Sequence, residues 1–164
     1  MSAFSIKKKT RIGMIIPLLI LFIISLNGIS IINFKFITVN IHYILVYYFV
    51  LRKPDTLGYG FIFLSGIIND VVLGLPLGIN SLVLLIVASV ATYVRTLTVR
   101  VTLINDWISF IPALLIANFF YFISLYFSDF PINYMQLFNN SIFTIVFYPI
   151  LWALFSLISN YLEI

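Results

Sequence analysis

Of the 164 residues, 63% are hydrophobic and 9% charged, against about 45–50% apolar and about 25% charged in an average soluble domain. Nine basic and five acidic side chains cannot cover so small a globule, so most of the apolar side chains must face something other than water, which excludes an ordinary water-soluble domain. The mean hydropathy of +1.18 points to lipid. The lack of cysteine excludes disulfides, thiolate nucleophiles and cysteine-bound metal or iron–sulfur centres.

Lys7, Lys8, Lys9 and Arg11 precede an apolar run that predicts a first span at about 12–33. Its basic start resembles a secretory signal, but the run is too long and has no small-x-small cleavage site, so it reads as a retained helix. Lys35 marks a short turn before a second span at 36–51. That run covers only about 24 Å as a helix, short for a hydrocarbon core of about 30 Å. Span three is expected at 57–75 and span four at 79–94. Pro76, flanked by Gly74 and Gly78, makes the break so short that these two spans must form an antiparallel hairpin. Span five follows at 107–127 and span six at 141–162, carrying Pro112 and Pro149. Both prolines should kink their helices, which neighbouring helices can tolerate in lipid. The predicted fold class is all-α, a polytopic integral membrane protein whose single domain, 1–164, contains six transmembrane helices.

Basic residues orient such a chain. With six spans and an inner N-terminus, Lys7, Lys8, Lys9, Arg11, Arg52, Lys53, Arg95 and Arg100 lie inside and Lys35 alone outside. If the short second run failed to cross, Arg52, Lys53, Arg95 and Arg100 would all move outside, so the positive-inside rule selects six spans with both termini in the cytoplasm. The charge clusters therefore read as orientation signals, and no span offers the basic face that a nucleic-acid partner would need.

The segment most able to carry chemistry contains Gly66, Asn69, Asp70, Gly74, Pro76, Gly78, Asn80 and Ser81. Asp70 lies about 22 Å of helix beyond Asp55, in the outer half of the bilayer, where an ionisable group costs a few kcal/mol and is a functional hypothesis by default. No Lys or Arg matches its depth. Its expected partners are Asn69, Asn80, Ser81 and the free N–H groups at the start of span four, whose positive end favours an anion. Two roles are open for Asp70: securing the hairpin, with Gly74 and Gly78 supplying backbone freedom, or touching a partner protein or ligand.

His42, near Asn40 and on a helix with Tyr43 and Tyr47 four apart, reads as a hydrogen-bonded packing residue, and Asn118 as an interhelical hydrogen-bonding group. The stretch from Asp129 to Met135 puts aromatic and apolar groups beside the membrane, either for a neighbouring protein or for the lipid interface. No catalytic residue, cofactor or metal is expected. An intramembrane serine protease needs a serine with a base, and the one histidine lies in a span with no serine; a metal site needs several His or acid ligands at one depth.

The run from Gly66 through Asn69, Asp70, Gly74, Pro76 and Gly78 to Asn80 and Ser81 resembles the Gly-x-x-x-Asp-x-x-x-Gly-x-Pro-x-Gly signature of the MreD family, as do the chain's size, six-span hydropathy and basic start. The resemblance implies a non-enzymatic scaffold of the bacterial inner membrane that binds MreC. Through MreC it would meet MreB, RodA and a penicillin-binding transpeptidase, and support rod-shaped wall synthesis. That family's helical fold is in turn similar to the substrate-binding subunits of energy-coupling-factor vitamin transporters, which supplies an alternative function. A transporter subunit should present an outer pocket lined by several hydrogen-bonding groups, and the nearly uniform apolar spans favour the scaffold.

Overall fold

The fold is described by a computed structural model for residues 3–28, 31–34, 37–97, 102–131 and 133–161, with side chains from 15 onward except 31–37. Among these residues six helices form: α1 (Ala3–Leu26), α2 (Ile41–Arg52), α3 (Tyr59–Leu73), α4 (Ile79–Leu97), α5 (Leu103–Phe127) and α6 (Tyr134–Tyr161). Strands β1 (Ile31–Phe34) and β2 (Ile37–Asn40) join α1 to α2. Helices α4, α5 and α6 are long and apolar enough to cross a membrane. The protein is thus a helical, membrane-associated one. The turn expected at Lys35, the side chains of Lys7, Lys8, Lys9 and Arg11, Arg100, and the last residue of the sixth expected span lie outside the described residues.

The largest departure from the expected spans is at 27–40. The first helix stops at Leu26, where Asn27 Nδ2 donates to the Ile23 carbonyl (2.8 Å) and Gly28 takes a left-handed φ of 63°. The following residues, rich in β-branched side chains, pair as an antiparallel hairpin with Ile31 opposite Asn40 and Phe34 opposite Ile37. Irregular or extended backbone at membrane depth survives only where protein covers it. Thr38, Val39 and Asn40 are indeed buried. Hydropathy cannot separate such a hairpin from the ends of two apolar helices.

What remains of the second expected span is the core. Every residue of α2 from His42 to Leu51 is buried, the pattern of a helix surrounded on all sides. It starts at Asn40, whose side chain accepts from the Tyr43 N–H (3.1 Å) while its own N–H donates to Thr144 Oγ1 on α6 (2.9 Å). One residue therefore ends the strand, caps the helix and fixes both to a neighbour. Against α2 pack α1, α4 and α6, and α4 also packs on α3 and α5. Ala88 and Ala91 of α4 and Ala113 and Ala117 of α5 are fully buried, as close helix approach in lipid requires.

The ends of the longer helices also move. Helix α5 begins before the expected 107, which takes Asp106 into its first turn, and α6 begins at Tyr134 rather than 141. Helices α5 and α6 run through Pro112 and Pro149, and α1 through Pro17. Pro149 has no N–H for the carbonyl of Ile145, and a group orphaned in an apolar bundle is costly. Trp107 Nε1 of α5 donates to that carbonyl (2.8 Å).

Replacing Trp107 by Phe should destabilise the protein by about 1–3 kcal/mol, read as thermal unfolding in detergent. Adding Pro149→Ala restores an intrahelical donor, so the double variant should lose less than Trp107→Phe alone. Additive losses would show that the indole does not serve the proline's vacated carbonyl.

Candidate functional site

Helix α3 ends in a Schellman closure: the Leu75 N–H donates to the Asp70 carbonyl (2.9 Å) and the Gly74 N–H to that of Val71 (3.3 Å). Gly74, with φ 65°, is the left-handed residue this closure needs. Pro76 cannot extend the helix, and Gly78, at φ 98°, turns the chain into α4. The Asp70 side chain is fully buried and completes the turn. Its Oδ2 accepts from the Gly78 N–H (2.8 Å), and its Oδ1 accepts from the Asn80 N–H (3.0 Å) and from Asn80 Nδ2 (2.8 Å). The last turn of one helix thus caps the first turn of the next, where the dipole favours negative charge.

Gly66 has a different duty. A Cβ there would overlap the backbone and hydroxyl of Ser81, so α3 and α4 meet at a point where only hydrogen fits. Ser81 Oγ donates across that contact to the Phe63 carbonyl (2.9 Å). The expected set around Asp70 therefore divides. Asn80 and the free N–H groups of α4, that of Ser81 included, face the carboxylate, the Ser81 hydroxyl belongs to the Gly66 contact, and Asn69 stands beside Asp70 with its buried Oδ1 unpartnered. Val71, Val72, Leu73 and Leu77 are exposed side chains around the same turn.

Beside the hairpin is a cavity of about 190 Å³ lined by Asn40 of β2, Asn69 of α3, Asn80 of α4, Asn118 of α5 and Asn140 of α6, with His42 and Tyr43 from α2. Phe130 and Pro131, from the stretch expected to face a neighbour or lipid, close part of it. Asn118 Nδ2 makes the interhelical bond expected of it, to Ser141 Oγ (2.7 Å). This convergence was hidden in the sequence because the amides lie on separate elements, far apart along the chain.

A second polar centre was also missed. Asp106 is buried, and its Oδ2 accepts from Arg52 Nε and from Trp152 Nε1, each at 2.9 Å, while the guanidinium lies over the Trp152 ring (4.8 Å). The cluster ties the end of α2 to the start of α5 and to α6. Arg52, expected from the sequence as an orientation charge, is therefore a packing residue as well.

His42 corrects one premise of the enzyme argument. No serine shares its helix, but Ser25 of α1 and Ser65 of α3 lie 3.4 and 3.5 Å from its Nε2. Both hydroxyls donate to carbonyls of their own helices, Leu21 and Ile62, each at 2.9 Å. A single Nε2–H, shared between the two oxygens, suits this arrangement, and the ring has no hydroxyl proton to take, which fits packing better than activation of a nucleophile.

Comparison with family models, with curated proteins and with solved structures gave no match.

Asp70→Asn turns an amide NH₂ toward N–H donors and should cost about 3 kcal/mol or more, seen as a lower folded yield and a lower Tm in detergent. Gly66→Ala should cost about 1–3 kcal/mol through forced separation of α3 from α4. Wild-type Tm in both variants would mean that the hairpin is held by other contacts.

Proposed function

We propose that this chain is a non-enzymatic scaffold subunit of the bacterial cell-elongation complex, a multi-pass protein of the inner membrane that binds MreC. Through MreC it works beside MreB, RodA and a penicillin-binding transpeptidase in peptidoglycan synthesis and cell-shape maintenance. In this reading all six helices cross the membrane with both termini in the cytoplasm. Helix α2 covers about 18 Å, and β2, which directly precedes it, would supply up to about 13 Å more. The hairpin of α3 and α4 then turns on the outer side.

The observation that carries the reading is the unity of the signature residues. Asp70, Gly74, Pro76 and Gly78 together build one closed turn with the polar groups engaged inside, and Gly66 lets the two arms of that hairpin meet closely at Ser81. In this reading Asp70, which is buried, acts through the turn that it holds. Its part is to hold Val71, Val72 and Leu77 on a fixed outer face, and close packing is what helix association in lipid requires. The amide-lined cavity favours a second reading, a substrate-binding subunit of an energy-coupling-factor type vitamin transporter.

Leu77→Trp and Val71→Trp, which alter only the exposed face, should leave protein abundance unchanged and sharply reduce copurification with MreC. Undiminished recovery in both would remove this face from the interface. Depletion should round the cells under the scaffold reading, whereas unchanged shape with lost vitamin uptake would favour the transporter. An alkaline-phosphatase fusion after Lys53 should be inactive, and activity there would refute the six-span topology.

A further inference from the structure

The cavity beside the hairpin has a lining whose hydrogen-bonding sense can be worked out group by group. Asn40 Oδ1 accepts from the Tyr43 N–H (3.1 Å), which leaves the Asn40 NH₂. Thr144 Oγ1 accepts from the Asn40 N–H (2.9 Å) and so gives its own hydrogen to Asn140 Oδ1 (3.1 Å), which leaves the Asn140 NH₂. Asn80 Nδ2 donates to Asp70 (2.8 Å), which leaves the Asn80 carbonyl oxygen. Ser141 Oγ donates to the Leu137 carbonyl (2.8 Å) and therefore accepts from Asn118 Nδ2 (2.7 Å), which leaves the Asn118 carbonyl oxygen. To these Asn69 adds a buried Oδ1 that meets no partner in the protein. A buried polar atom without a partner costs about 1–3 kcal/mol, and here it lines a cavity.

Three features of the site narrow what fits. No Asp, Glu, Lys or Arg lines it; His42 does, and the nearby Asp70 carboxylate is already engaged by three hydrogen bonds, so a charged solute would be desolvated with little compensating charge. The volume of about 190 Å³ exceeds the roughly 150 Å³ of a cavity that holds benzene, which is room for one six-membered ring with substituents. Seven amides line the cavity: these five, which come from five different elements and mix donors with acceptors, and Asn133 and Gln136 at its exposed rim, so they address the ring from several directions. Hydroxyl groups, which both donate and accept and project around a puckered ring, match that arrangement; a flat heterocycle offers its polar edge in one plane only. Tyr121 and Phe130 supply apolar surface for the C–H face.

We propose that this cavity binds a single neutral sugar ring, held by the amides of Asn40, Asn69, Asn80, Asn118 and Asn140. The assignment rests on the lining alone and is independent of the scaffold reading.

The test uses the full chain in lipid nanodiscs, titrated calorimetrically with methyl β-glucoside and with N-acetylglucosamine. Glucuronate serves as the charged control and uracil as the flat neutral one. In a separate arm the nanodiscs contain glucosyl-diacylglycerol, scored by retention on the purified protein. Saturable binding of a neutral free sugar supports a soluble ligand, and binding of the glycolipid alone supports a lipid-borne one. Either should weaken at least about tenfold in Asn69→Leu and in Gln136→Ala, the second of which lies at the exposed rim and leaves the buried network intact. No sugar binding in either arm, equal binding of glucuronate, binding of uracil instead, or affinities unchanged in both variants would overturn the proposal.

Discussion

A carboxylate inside an apolar bundle is tolerable only if hydrogen-bond donors meet it, and the donors available to Asp70 are the ones that a helix N-terminus leaves unsatisfied. Each defect thus cures the other. The buried charge of α3 needs N–H groups, and the first turn of α4 needs an acceptor that water cannot supply. The consequence is a turn whose angle is set by covalent geometry on one side and by three hydrogen bonds on the other, with no room for slippage at Gly66. The cavity depends on this joint, because Asn69 and Asn80 face it from the two arms of the hairpin.

The same logic of transferred hydrogen bonding recurs through the bundle. Where α6 loses an internal bond at Pro149, α5 supplies the indole N–H of Trp107. Where β2 gives way to α2, α6 supplies the Thr144 hydroxyl. Where Arg52 and Trp152 need an acceptor, the first turn of α5 supplies Asp106. In water such bonds contribute little because solvent competes for every group. In lipid the competitor is absent, so a few polar residues placed between helices specify an arrangement that uniformly apolar surfaces would leave degenerate.

These joints also account for where a docking surface and a ligand site can lie. The groups that fix the hairpin point inward and leave apolar side chains outside, a surface suited to another helix in the bilayer. Among the groups that line the cavity, Asn40, Asn80, Asn118 and Asn140 each have one half of the amide engaged in the protein, and Asn69 adds an unpartnered oxygen. Two surfaces of different chemistry thus share one framework, and a change at either need not disturb the other.

Composition and hydropathy were enough to show a helical chain made for an apolar medium, and the spacing of Gly74, Pro76 and Gly78 around Asp70 was enough to show a capped hairpin, because both are local properties. Hydropathy failed at 31–34 and 37–40, since β-branched residues paired as strands read the same as the ends of two apolar helices, and only the fold shows the pairing and the burial of Thr38, Val39 and Asn40. It also placed Asp106 in a loop, because a charge beside an apolar run resembles a boundary until Arg52 and Trp152 are brought to it from distant positions. The amide cavity and the serines beside His42 were decided by tertiary structure alone. Hydrogen bonding between single polar residues on separate helices leaves no periodicity within any one of them.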